Sequence, residues 1–135
     1  MPKSFLLELV TPERMLFHDN VEGVRAPGVL GSFGVLAGHA PMLTELAVGL
    51  IKLNLLTGQE AYIATSGGFL QVTRDKVLIL ADHAELSEEI DVEHARATAQ
   101  KLRESLAVPG IDAEALRKEL ERVENRIRVA QMKTR

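Results

Sequence analysis

Val77-Leu78-Ile79-Leu80-Ala81-Asp82-His83-Ala84-Glu85-Leu86-Ser87-Glu88-Glu89-Ile90-Asp91-Val92-Glu93-His94-Ala95 is the stretch in which this chain changes its period. Residues 77–81 close a series of short apolar and alternating runs, the others being 5–10, 15–18, 21–26, 34–36, 48–56, 61–65 and 69–73. Thr-Pro, Pro-Gly, Thr-Gly and Arg-Asp pairs stand between them and supply turn dihedrals. No helical pattern of ten or so residues separates these runs, which argues against parallel strands joined by crossover helices. Many short strands at this spacing predict an antiparallel β-sandwich or barrel of eight or more strands.

Beyond Ile90 the period is helical. Ala95, Ala99, Leu102 and Leu106 share one face, and Pro109-Gly110 stops that helix. Asp112 then stands where an N-cap is wanted, and Leu116, Leu120, Val123, Ile127 and Ala130 repeat the apolar spacing. A connection of three to five residues makes the pair an antiparallel hairpin, with Ala95 and Ala99 allowing close backbone approach. Two narrow apolar stripes support each other weakly in water, so the hairpin needs a surface to lie on and can be mobile. The expected fold class is α+β. Residues 1–86 form a β-sandwich docking domain and residues 87–135 a helical, mobile regulatory domain.

The punctuation and the charge divide at the same place. Nine of the ten glycines and four of the five prolines precede residue 87. The first part carries six Lys and Arg against nine Asp and Glu, whereas the second carries ten against ten. The whole chain of 135 residues has a net charge of −3, which argues against nucleic-acid binding through general basicity. It has no cysteine, so disulfides, thiolate metal sites and cysteine nucleophiles are excluded. No apolar run reaches the roughly 18–20 residues of a membrane span, and the N-terminus makes a poor signal peptide, so a soluble chain is expected.

Few residues suggest catalysis. Gly28, Gly31, Gly34 and Gly38 lack the spacing of a dinucleotide fingerprint, and neither they nor Ser66-Gly67-Gly68 make a phosphate loop. His18, His39, His83 and His94 show no metal spacing, and Gly-x-Ser-x-Gly is absent. The glycine-rich segment 26–41 reads as tight turns that also let another chain come close, with His39 an exposed polar handle. The last helix says more. Lys118, Arg122 and Arg126 repeat at i, i+4 and i+8, and residues 117–135, which include Arg128, Lys133 and Arg135, have a net charge of +4. Glu114 can offset Lys118 and Glu124 can offset Arg128, but Arg122 and Arg126 lack an acid four residues back. The stripe suits either a solvated helix end or an anion-seeking face for an acidic partner surface or nucleotide phosphates.

These residues resemble a known family. Ala26-Pro27-Gly28, Gly31, Gly34-Val35-Leu36 and Gly38-His39-Ala40-Pro41-Met42-Leu43-Thr44 are similar to the hallmark of the epsilon subunit of F-type ATP synthases. So are Ser66-Gly67-Gly68-Phe69-Leu70, Val77–Asp82 and Ile90-Asp91 ahead of Ala95, in order over essentially the whole chain. The resemblance implies a non-catalytic rotor subunit of the central stalk, linking the gamma subunit to the ring of c subunits. Gly31, Ser32, Phe33, Gly38, His39, Ala40 and Pro41 would be its rotor contacts. Its C-terminal helices would extend toward the alpha and beta subunits and inhibit ATP hydrolysis through the basic residues Lys118, Arg122, Arg126 and Arg128. It further implies a peripheral protein on the cytoplasmic face of a bacterial membrane, with no required cofactor, metal or nucleic acid. Some members bind regulatory ATP, and Ile90, Asp91, Ala95, Arg122 and Arg126 match residues of that site. Here His94 replaces the motif arginine, a weaker phosphate partner, so ATP binding is expected to be weak or absent. Ser32 likewise stands where some members carry an acid facing the ring. The rival reading is a free-standing sandwich adaptor whose basic helix binds acidic protein or RNA.

Overall fold

The computed structural model describes residues 3–132, so Lys133 and Arg135 of the basic end lie outside the described residues. Seven strands come first: β1 (Phe5–Val10), β2 (Met15–Gly28), β3 (Gly31–Leu36), β4 (Met42–Leu55), β5 (Glu60–Val72), β6 (Lys76–Ala81) and β7 (Ala84–Leu86). A 3-10 turn, Ser87–Glu89, leads to the helices α1 (Val92–Leu106) and α2 (Ala113–Ala130). The strands run in the order β1-β6-β5-β4-β2-β3, and a β1–β2 pairing closes the path on itself. The result is a sandwich-like barrel followed by a helical hairpin, the expected α+β class.

Three details differ from expectation. The strands number seven because two breaks seen in the sequence are passed by continuous backbone. Asp19 and Asn20 turn outward within β2 and stay paired with Leu7 and Leu6. In β5 the strand continues through Ser66-Gly67-Gly68, with Ser66 and Gly68 still paired to Val48 and Leu46. A Cβ at residue 68, whose φ is +126°, would lie 2.1 Å from the Leu80 carbonyl, so only glycine lets the strand through. The second difference is that β1 and β6 run parallel, with Leu7 opposite Val77. β1 therefore fits between β2 and β6 and closes the barrel, whose other strand pairs are antiparallel. Third, residues 107–112 join the helices, a longer connection than predicted.

The main core follows from alternation. Leu7, Leu9, Ile51, Leu53, Ile63, Leu70 and Ile79 are fully buried between the facing strands. At roughly 1.5–3 kcal/mol for each such side chain, this core dominates the stability of the first part. The hairpin has its own seam, in which Ala95, Ala99 and Val123 pack with Leu102, Leu120 and Ile127. The Asp91 carboxylate accepts from the His94 N–H at 3.1 Å and caps α1. Asp112 occupies the N-cap position of α2, where its side chain makes no capping hydrogen bond.

The hairpin rests on the barrel through α2, which packs on β4, β5 and the 3-10 turn. Val129 enters a small cluster with Tyr62, Ala64 and Ile90, flanked by Leu50 and Ala130. That second cluster explains β5, in which residues 61–65 are buried consecutively because the barrel interior covers one face and α2 the other.

Candidate functional site

The glycine-rich segment builds two exposed corners, one at each end of β3. Gly28 and Gly31 are opposite residues at the β2–β3 tip, leaving Val29 and Leu30 as the turn between them. The Val29 N–H donates to the Glu45 carbonyl at 3.1 Å, so the turn is anchored to β4. Leu30 projects with 98% of its surface exposed. Phe33 lies against Gly28, where a Cβ would come within 3.0 Å of the ring, so the glycine allows the aromatic to lie flat over the tip. Ser32 accepts a hydrogen bond of 3.4 Å from Arg25.

The second corner is residues 37–41. Gly38 takes φ +84°, the His39 N–H donates to the Leu36 carbonyl at 3.1 Å, and His39 Nδ1 lies 2.7 Å from the Ala40 carbonyl. His39, Ala40 and Pro41 are exposed, and the flanking Leu36 and Leu43 are exposed apolar residues. The β2–β3 tip and the 37–41 corner thus stand at opposite ends of β3, which spans about 17 Å from Gly31 to Leu36 at 3.3–3.4 Å per residue. Outward-facing Phe69 and Leu80, opposite each other on β5 and β6, extend the apolar exposure onto the sheet.

The basic face of α2 is less free than its sequence suggests. Lys118 pairs with Glu114 at 3.5 Å, and Arg122 pairs with Glu119 at 3.8 Å, three residues back rather than four. Arg126 makes a two-pronged bond to Glu85 of β7, with the second contact at 3.2 Å. Arg128 donates to the Asn125 side chain at 3.1 Å, while Glu124 turns to Arg103 of α1 instead of Arg128. The stripe therefore holds one cation clamped to the barrel and others in solvated pairs worth little individually.

A cleft of about 480 Å³ lies between α2, β7 and the β1–β2 turn. Arg14, Arg122 and Arg126 line it together with Glu13, Glu85 and Glu119, so its charges balance. Of the residues matched to a nucleotide site, the cleft gathers only Arg122 and Arg126. Ile90 is packed under Val129, Ala95 is buried in the helix seam, and Asp91 caps α1. Among the described residues no group of three His, Cys, Asp or Glu could hold a metal ion, and no helix is long and apolar enough to cross a membrane.

The linker between the two parts is tied down as well. Arg14 of the β1–β2 turn grips Glu89 with contacts of 2.8 and 3.3 Å. That hydrogen bonding holds the Glu89 carboxyl below its ordinary value of 4.5 and raises Arg14 further. Sequence reasoning did not single out Arg14, Glu85, Asn125 or Val129. One signal was present: the unbroken run Ala61-Tyr62-Ile63-Ala64 marks a strand covered on both faces.

These features make a small sandwich-like barrel that carries a docked two-helix arm and exposes apolar corners at the two ends of β3. Residues 4–87 match the family described as ATP synthase, Delta/Epsilon chain, beta-sandwich domain. The chain is 46% identical over 107 residues to the ATP synthase epsilon chain of Carboxydothermus hydrogenoformans, covering 79% of each protein. It is 41% identical over 129 residues to that of Moorella thermoacetica, covering 94% of this chain and 96% of the relative. Among solved structures, a chain of the Euglena gracilis mitochondrial ATP synthase, in a structure of its OSCP, F1 and c-ring, aligns at a TM-score of 0.76. That match has 26% identity and covers 91% of this chain and 78% of the other. The chain belongs to the epsilon-chain family of ATP synthases.

Proposed function

We propose that this chain is the non-catalytic central-stalk subunit of an F-type ATP synthase, joining the gamma subunit to the c-ring, with its helices acting as a brake on ATP hydrolysis. The observation that carries the docking role is the pair of separated apolar corners on a rigid barrel. Two corners about 17 Å apart suit two partners. The tip with Leu30, Gly31, Ser32 and Phe33 serves the ring, and the turn with Gly38, His39, Ala40 and Pro41 serves the stalk. In this reading residues 1–86 dock, residues 87–135 regulate, and the assembly holds the subunit peripherally at the cytoplasmic face of a bacterial membrane. The braking role falls to Lys118, Arg122, Arg126 and Arg128, which face acidic segments of the alpha and beta subunits once α2 leaves the barrel. Arg126 must first give up Glu85.

Co-purification tests the docking role. Leu30→Asp should sharply reduce recovery of the c-ring, while His39→Ala with Leu36→Asp should reduce recovery of gamma. Undiminished recovery in both variants would reject the assignment of the corners. Truncation after Leu86 should leave the barrel folded and raise ATP hydrolysis by the reconstituted complex; unchanged hydrolysis rejects the brake. Regulatory ATP should bind weakly, since His94 is present and the matched residues do not converge. Micromolar binding in a titration, lost in Asp91→Ala, would overturn that.

A further inference from the structure

Asn125 is the most deeply buried polar side chain of the hairpin, with 2% of its surface exposed. It sits on the underside of α2, and its amide nitrogen is directed at the sheet. Its amide nitrogen donates to the Gly49 carbonyl at 2.9 Å and to the Thr65 carbonyl at 3.4 Å. Its oxygen accepts from Arg128 at 3.1 Å. Gly49 and Thr65 are opposite residues on β4 and β5, so one side chain bridges two strands.

The barrel is irregular at this point. The β2–β4 register shifts between Arg25 and Gly28, and Pro27, which packs against Gly49, has no N–H to offer. The Gly49 carbonyl there accepts from the Asn125 amide of the helix. The apolar part of the contact is small, resting on Val129 among Tyr62, Ala64 and Ile90, and the ion pair Arg126–Glu85 lies beside it. Apolar contact alone is non-directional and would tolerate α2 shifted or rotated on the sheet. Two carbonyls at fixed positions tolerate one seating only.

We propose that Asn125 is the latch of the arm: it fixes the register in which α2 docks on β4 and β5 and sets how readily the arm lifts. The proposal rests on the arm being a mobile brake and names the residue that holds it down. The chemistry suits a reversible contact. When α2 lifts, water replaces the amide at both carbonyls and solvates the freed side chain, so neither surface is left with an unsatisfied polar group. A leucine at the same place would bury more apolar surface and yet give up both hydrogen bonds to the sheet.

The chain supplies its own reporter. Tyr62, its only tyrosine in a protein without tryptophan, is buried beneath α2. Collisional quenching of Tyr62 fluorescence in the full-length chain therefore reads docking directly. Asn125→Asp, nearly isosteric but unable to donate at neutral pH, should raise the undocked population about tenfold or more. Asn125→Leu should raise it as well, although a purely apolar contact would be tightened by that change. Unchanged quenching in Asn125→Asp, or tighter docking in Asn125→Leu, overturns the latch. Should either variant fail to fold, exchange of the Asn125 side-chain amide protons in the unaltered protein decides. Slow exchange supports the latch, and exchange at the rate of a free amide refutes it. Because the readout precedes any assembly, greater undocking with unchanged ATP hydrolysis would reject the brake and leave the latch standing.

Discussion

The barrel and the arm are built on opposite principles. In the barrel, facing strands bury long aliphatic side chains completely, and the strand path has no gap because β1 closes it between β2 and β6. The arm has a thin seam of alanines against Val123 and a seat on the barrel made of one valine, one asparagine and one ion pair. Stability is therefore distributed unevenly, and the arm is held to the barrel largely by groups that water can replace.

The sharpest way to break this contrast is to attack the barrel. Leu53→Ala, at a fully buried site, should lose about 2–5 kcal/mol and carry the whole chain toward unfolding in a thermal melt. Val129→Ala should act differently. It removes part of the buried apolar contact between α2 and the barrel, weakening docking by up to about 1.5–3 kcal/mol while the barrel melts as before. Tyr62 quenching combined with calorimetry would separate the two outcomes. A Val129→Ala variant whose barrel melts early would show that the two parts are one cooperative unit.

Smaller effects sit at the linker. Glu89 has a lowered pKa in the folded chain, so its bond to Arg14 contributes stability above the ordinary glutamate value of 4.5 and loses it as pH falls below that value through the folded pKa. Proteolysis within the 3-10 turn should accelerate over that acidic range, and Arg14→Ala should give the same acceleration at neutral pH. Smallest of all, Glu114→Gln removes the exposed partner of Lys118 and should change stability by no more than about 0.5 kcal/mol, measurable by denaturant titration.

The sequence made the two-part division readable because the period changes from alternation to threes and fours around Ile90. Ala95 and Ala99 declared the helix seam in the same way. What remained hidden depends on contacts between distant residues. Ser66-Gly67-Gly68 reads as a turn because glycine marks turns, yet Gly68 is there to let a strand pass close to Leu80. Arg126 looked unpaired because only partners along its own helix can be counted from spacing, whereas Glu85 reaches it from β7. Asn125 gave no signal at all. A polar residue between Glu124 and Arg126 reads as surface, and its burial depends on the Gly49 and Thr65 carbonyls, far away in the chain. The glycine-rich corners were legible as residues but not as two places, since nothing local reveals that they stand at opposite ends of β3.

The parallel pairing of β1 with β6 also has a consequence in time. Leu7 cannot meet Val77 until the chain has been made as far as β6, so the first strand synthesised is among the last to be fully flanked. Its hairpin with β2 can form early, but the barrel shuts only when β6 arrives, and pairing across so many residues is slow. The helices need only their neighbours. Since α2 seats on β4 and β5, the arm reaches its seat after the barrel has been nearly completed, and its first docking is already a test of that barrel's closure.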